Sequence, residues 1–273
     1  MKARIISRVD DRFRRDFQLA QMQRIGLDFE FVDAIEAATL SDEECRQAAQ
    51  TWPGRSLPQD IACFHSHRKA WEQVVETGEL NLVLEDDAVL ADTISEVIDS
   101  IAVRHDHWRR VYDLEFTPEP HIIANEPTWQ DLNTEVSASR VYRNRVGLAG
   151  YLIGPEAAAR LLAETRRYRL VDSYVWQRPW LHAQIVEPAQ VVQMRFFPDA
   201  AQEPAFVRSG QSRTFRPDSK FRNFLLRMEI ELARSRSLVA AAGRSTRRQP
   251  RIDWSKFSSG RSPLQRTSSP SLG

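Results

Sequence analysis

The sequence predicts an α/β protein with an open, mostly parallel sheet flanked by helices, and three observations predict it. Apolar strand-length runs alternate with helical stretches from Arg4 to Asp87, the order that right-handed crossovers build into a parallel sheet. Leu82-Val83-Leu84 is a continuous apolar run, the pattern of a strand buried on both faces. Glu85, Asp86 and Asp87 arrive directly at its C-terminal end, and the crevice outside strand C-termini is where such sheets bind ligands.

Taken in order, Arg4-Ile5-Ile6 reads as the first strand. Residues 10–25 read as a helix with Phe13, Phe17 and Ala20 on its apolar stripe and Gly26 as its stop. Leu27, Phe29 and Phe31 alternate with polar neighbours, a second strand ending at Asp33-Ala34-Ile35. Ser41 and Glu44 form a capping box. Pro58 opens and Gly78 closes a helix with Ile61, Phe64, Arg68, Trp71 and Val75 on its stripe, which leads into the central strand. A helix over 92–103 and a strand over 110–114 follow. Residues 117–131, rich in Pro and polar side chains, read as a loop over a site. Residues 141–143 and 148–153 read as a pair of strands around Gly147 and Gly150. Pro155 opens a helix with Ala158, Leu161 and Leu162 on one face. Val171-Asp172 begins a short segment, and residues 184–186 and 191–197 supply further strands around Pro188.

After about residue 200 the texture changes. Pro217-Asp218-Ser219 caps an amphipathic helix with Phe221, Phe224, Leu225, Met228 and Leu232 on one face, flanked by Lys220, Arg222, Arg227, Arg234 and Arg236. Beyond Gly243 the chain is rich in Ser, Arg and Pro, so residues 245–273 read as disordered. Two regions are expected: a catalytic domain over 1–212 and a basic helical and disordered tail over 213–273. Residues 213–273 hold 14 Lys and Arg against 4 Asp and Glu, a net +10, which leaves 24 against 33, a net −9, for the rest. Such tails meet nucleic acid, anionic lipid or an acidic partner. Residues 1–15 lack the apolar core of a signal peptide, and no run reaches the ~18 apolar residues of a spanning helix. Cys45 and Cys63 fall in separate helices, as expected of free thiols in a reducing cytosol.

Three adjacent acids repel one another unless a cation or a proton sits among them. Mg²⁺ or Mn²⁺, bridging carboxylates to substrate phosphates, is the natural partner; the plain alternative is a solvated acidic turn. The chain has no Gly-x-x-x-x-Gly-Lys loop, Gly-x-Ser-x-Gly elbow or His-Glu-x-x-His. His65 and His67 stand roughly 200° apart around a helix, so they do not share a zinc ion. His67 alone reads equally as a buried structural residue or a ligand contact. A divalent ion holding a nucleoside diphosphate suits sugar transfer, and a separate carboxylate then serves as general base. Glu115, Asp113 and Asp172 are the candidates.

At these residues the chain resembles glycosyltransferase family 25, the lipooligosaccharide-biosynthesis group. The resemblance runs through Phe31-Val-Asp-Ala-Ile35, Ile61-Ala-Cys-Phe-His-Ser-His67 with Trp71, Leu84-Glu-Asp-Asp87 and Gly147-Leu-Ala-Gly-Tyr-Leu-Ile153. It continues with Leu161-Leu162, Val171-Asp172 and Pro188 to Gln193, and covers roughly residues 3–195. It implies a GT-A, Rossmann-like fold, a nucleotide-sugar donor (commonly UDP-galactose), an inverting mechanism and a lipid-linked oligosaccharide acceptor. Glu85, Asp86 and Asp87 would form the metal and diphosphate site, with Asp86 and Asp87 on the ion. Ser66 and His67 would lie by the donor, and Arg8 and Asp33 near the nucleotide. Ser7, Ala62 and Gly154 depart from the family pattern, the first two where nucleotide contacts are expected. Asp172 is taken as the base from its position, with Glu115 next.

The reading that follows is a metal-dependent glycosyltransferase peripheral on the inner face of the cytoplasmic membrane. Its basic tail would hold it to anionic lipid, each basic residue near the surface contributing ~1 kcal/mol. The alternatives are a nucleic-acid-binding protein using residues 213–266, and an inactive relative that binds a partner. The acidic body and the absence of a basic recognition motif oppose the first; the intact Glu85-Asp86-Asp87 opposes the second.

Overall fold

The computed structural model describes residues 1–104, 109–144, 146–176, 178–196 and 213–257. Strand β1 (Ala3–Ser7), helix α1 (Arg12–Ile25) and strand β2 (Phe29–Asp33) open the chain, and Gly26 ends α1 in the left-handed conformation. Helix α2 (Asp42–Ala49) starts at the Ser41–Glu44 capping box, as expected. Helix α3 (Pro58–Thr77) runs from Pro58 to a left-handed Gly78 and delivers the chain into β3 (Asn81–Glu85). Then come β4 (Ala88–Leu90), α4 (Ile94–Ala102), β5 (Val111–Asp113), β6 (Glu115–Phe116), β7 (His121–Ala124), β8 (Trp129–Asp131) and β9 (Val136–Arg143). Strand β10 (Gly150–Ile153), α5 (Pro155–Glu164), α6 (Val171–Val175), β11 (Gln184–Glu187) and β12 (Val191–Gln193) follow, and α7 (Lys220–Ala241) and β13 (Ser245–Arg248) close the described chain.

The main sheet has the order β13-β7-β9-β11-β5-β10-β3-β1-β2, with β8 on β9; β4, β12 and β6 form a second, three-stranded sheet. Alternation sorts the strand side chains between two cores. Ile6 and Val83 face the core of Phe64, Trp71, Leu161 and Tyr174 from α3, α5 and α6. Ile5, Leu82 and Leu84 face that of Met22, Ile94, Val97 and Ile98 from α1 and α4. Helices therefore cover both faces of β3, which is why its residues read as a continuous apolar run.

The α/β expectation holds, with corrections. The sheet is mixed rather than mostly parallel: β1 pairs in parallel with β2 and β3, but β10 runs antiparallel between β3 and β5. Residues 141–143 and 148–153 do not pair with each other, because β9 joins β11 while β10 inserts beside β3. The stretch 117–131 is not all loop, since β7 and β8 both pair with β9. On α3, Val74 is buried where Val75 was expected. The tail is corrected most. Far from being disordered, β13 extends the main sheet by pairing with β7, and its Arg248 forms a bidentate ion pair with buried Glu187. Phe257 is buried with Val89, Val192 and Met194. Residues 245–257 thus complete the fold, while 258–273 and Phe197 lie outside the described residues. Cys45 and Cys63 are both free.

Candidate active site

The parallel register brings the expected strand-end residues to one edge. Ser7 stands opposite Asp33, and Ile6 opposite Glu85, so Arg8, Asp33 and the acidic turn share that edge. Arg8 is exposed, with Nη2 2.7 Å from Asp10 Oδ2 and Nε 3.8 Å from Glu36 Oε2. Asp33 is exposed and pairs with Arg15 at 2.6 Å. Ser66 accepts from Ile35 N at 2.9 Å and donates to Ala62 O at 2.8 Å, so its hydroxyl pins the loop after β2 to α3.

The turn Asp86-Asp87 is held from α1 by two amides. Gln18 donates to Asp86 O and Ala88 O, both at 2.9 Å; Gln21 donates to Ala88 O at 2.8 Å and accepts from Leu90 N at 2.8 Å. This corrects the stripe expected for α1. Phe13 and Ala20 are exposed, while Gln18, Gln21 and Met22 are buried, because buried backbone polar groups of the turn need partners. Arg14 lies 3.4 Å from Asp86 and 3.6 Å from Asp87. Burial first, and then the charge of Glu85, push Asp87 up to about 7 despite Arg14. Asp86 is raised by burial, with Arg14 and the Ser7 hydroxyl drawing it back down.

Glu85 meets α3. His67 is buried, with Nε2 3.4 Å from Glu85 Oε1 and Nδ1 3.0 Å from Tyr151 Oη. Trp71 Nε1, which can only donate, gives its proton to the same Tyr151 oxygen at 2.8 Å. Facing the Glu85 carboxylate, which accepts, His67 Nε2 carries a proton, while Nδ1 shares the Tyr151 hydroxyl with Trp71. Cys63 Sγ lies 4.0 Å from Glu85 Oε1. Cys63, His67 and Glu85 place their donor atoms within 4.8 Å of one another; in the sequence Cys45 and Cys63 read as too isolated for a zinc site, and only the fold brings Glu85 to the turn of α3 that carries Cys63 and His67. Burial raises the Cys63 thiol well above its ordinary range, and Glu85 adds to this. Cys63 and His67 both reach Glu85 Oε1, so the pair orients its carboxylate.

Glu115 is fully buried and accepts from Ala149 N at 2.7 Å. Ala149 O in turn accepts from Glu85 N at 2.9 Å, tying the two acids through one residue. Gly147 makes this approach possible: a Cβ there would sit 2.9 Å from Glu115 Oε2, and its φ is +90°. Burial and then Asp113 raise Glu115 well above the carboxylate range. Asp113, bonded to Asn144 at 3.1 Å, is pushed up to about 8 by burial. Asp172, in the first turn of α6, is half-buried and pushed up to about 6, by burial first and then by Glu85, with His67 opposing. Of the three candidate bases only Asp172 keeps part of its surface open.

Two oxygens test whether this edge suits a divalent ion. Asp87 Oδ1 and Glu115 Oε1 are buried and without a hydrogen-bond partner among the described residues, a costly state for carboxylates. Hard, unpaired oxygens on acids held above their ordinary range fit Mg²⁺ or Mn²⁺. No motif marks Arg14, Gln18 or Gln21 in the sequence; Tyr151 lies in the Gly147–Ile153 motif, but its role as the shared partner of His67 and Trp71 emerges only in the fold.

The profile of glycosyltransferase family 25 (LPS biosynthesis protein) matches residues 1–176. A protein of Aedes aegypti described as a glycosyltransferase 25 family member is 30% identical over 182 residues, which cover 59% of this chain and 28% of that protein. The chain thus matches under a third of that relative's length. The crystal structure of a glycosyltransferase involved in the glycosylation of the major capsid of PBCV-1 aligns with 83% of this chain and 98% of its own, at 11% identity and a TM-score of 0.39.

Proposed function

Because the chain belongs to glycosyltransferase family 25, we propose that it transfers a sugar, galactose from UDP-galactose, with inversion onto a lipid-linked oligosaccharide of the lipooligosaccharide or lipopolysaccharide class. Such an acceptor places the enzyme at the inner face of the cytoplasmic membrane. The observation that carries the reading is the gathering of Glu85, Asp86, Asp87 and Asp172 around a strand end, with a buried Asp87 oxygen that has no hydrogen-bond partner among the described residues.

Asp86 and Asp87 would hold Mn²⁺ or Mg²⁺, which supplies charge neutralisation for the leaving diphosphate. Gln18 and Gln21 keep the turn rigid, so the carboxylates need not reorganise. Arg8 and Asp33 stand at the ends of β1 and β2, on the side where the nucleotide would lie. His67, set by Tyr151, fixes Glu85 against the donor. Asp172 accepts the proton of the acceptor hydroxyl at its carboxylate, and a pKa of about 6 leaves it mostly ionised at neutral pH. One base acting in a single displacement accords with inversion.

The test is a donor screen: hydrolysis and transfer with UDP-, GDP- and CMP-sugars, with and without Mn²⁺. Turnover of a UDP-hexose that stops in EDTA is expected. No turnover with any donor, or full turnover in excess EDTA, overturns the reading.

A further inference from the structure

Helix α7 docks on the body by the side opposite its apolar stripe. Asn223, Leu226, Ile230 and Ala241 turn inward. Ile230 packs against the core of Phe64 and Trp71, and Asn223 Oδ1 accepts from Gly54 N at 2.9 Å. Phe221, Phe224, Leu225, Met228, Leu232 and Val239 share the outer side, spaced at helical period, with exposures from 42% for Met228 to 77% for Val239. Single exposed apolar side chains are ordinary, but six in one stripe along a 22-residue helix are not.

We propose that this outer face of α7 binds the surface of an anionic lipid bilayer. Lys220, Arg222, Arg227 and Arg236 border the stripe on both sides; Glu229 and Glu231, the only acids of the helix, lie on the same borders and leave them net positive. An apolar stripe edged by cations lies in the plane of a bilayer, its side chains among the acyl chains and its cations at the headgroups. Two copies packed stripe to stripe would bring the same basic borders together, which like charge opposes. No helix among the described residues is long and apolar enough to cross a membrane, so contact would be with the surface. The location fits the chemistry. Ser56 bridges Phe215 and Gly54 meets Asn223, immediately before the half of α3 that carries Cys63 and His67 to Glu85. The inference deepens the proposed function and rests on it for the lipid-linked nature of the acceptor, though not for the binding itself.

Co-sedimentation of the full chain with phosphatidylcholine vesicles, with and without phosphatidylglycerol, tests it against a Leu225→Glu/Leu232→Glu variant. The wild type should sediment with the anionic vesicles and release as salt rises past ~0.1 M, and the variant should bind at least about tenfold more weakly. Its melting temperature should match wild type, because both side chains are exposed. Absence of wild-type binding, equal binding by the variant, or a variant that only converts dimer to monomer overturns the proposal. So does a sharp fall in melting temperature, since the stripe would then be packed within its own chain. Transfer to a short soluble acceptor separates the two readings. Intact transfer without vesicle binding removes only this inference, and vesicle binding without turnover of any donor removes only the enzymatic one.

Discussion

Asp87→Asn should stabilise the metal-free protein while destroying its site. Asp87 ionises at about 7 in the fold against an ordinary value of 3.8, and each unit corresponds to ~1.36 kcal/mol. Holding it charged at pH 8 therefore costs the fold on the order of 4 kcal/mol, which the carboxamide avoids. The sign follows from a raised pKa: the wild type is least penalised below the unfolded value and loses stability as pH climbs through about 7. The advantage of the variant should shrink below about 2 kcal/mol at pH 5 and fade near pH 4. With metal the gap narrows. An ion at a hundred times its dissociation constant returns ~2.7 kcal/mol to the wild type and little to the variant. Urea unfolding at pH 8 and pH 5, in EDTA and in Mn²⁺, reads all four quantities, and turnover should vanish in the variant. An Asn variant less stable than wild type in EDTA at pH 8 would refute the reasoning, as would an equal Mn²⁺ shift in both proteins.

Gly147→Ala should cost about 2–4 kcal/mol in urea unfolding and lower turnover, because the new methyl strains a left-handed residue and displaces Glu115 from Ala149; an unchanged midpoint would contradict the contact. Tyr151→Phe keeps the ring but strips Trp71 Nε1 and His67 Nδ1 of their shared partner, so a loss of about 2–4 kcal/mol with reduced turnover is expected, and a variant as stable as wild type would show that the hydroxyl is not the hub. Asp172→Asn should lower turnover by roughly 10²–10⁴ while calorimetry finds donor affinity intact. In the wild type, kcat/KM should climb with pH through about 6 and level off above it, since the base acts ionised. Collapse of donor affinity with single-turnover transfer preserved would move Asp172 into the donor site.

Signals that are local in the chain were legible without coordinates. Ser41 and Glu44 satisfy each other within one turn, Pro58 and Gly78 punctuate α3, and the apolar run of β3 placed three acids at a strand end. Each depends on neighbours a few residues apart. Helix faces were less legible. Apolar periodicity pointed to Phe13, Phe17 and Ala20, yet Gln18 and Gln21 are buried because their partners are carbonyls about 70 residues away.

The sequence by itself determined that this is an α/β chain with an acidic strand end in a family-25 pattern, because strand burial, caps and turn chemistry are written in adjacent residues. Only the tertiary structure decided that β10 runs against β3, that residues 245–257 complete the body, and that the stripe of α7 points outward. It also brought Asp172 and Cys63 to Glu85 and set Glu115 behind Gly147. Those outcomes turn on which distant surfaces meet. An amphipathic helix carries one apolar stripe whether its partner is a protein core or something outside, and a carboxylate is the same in sequence whether it ends up in water or against another acid. Burial and the neighbouring charge, which set its pKa and so its chemistry, arise only when the chain has closed around it.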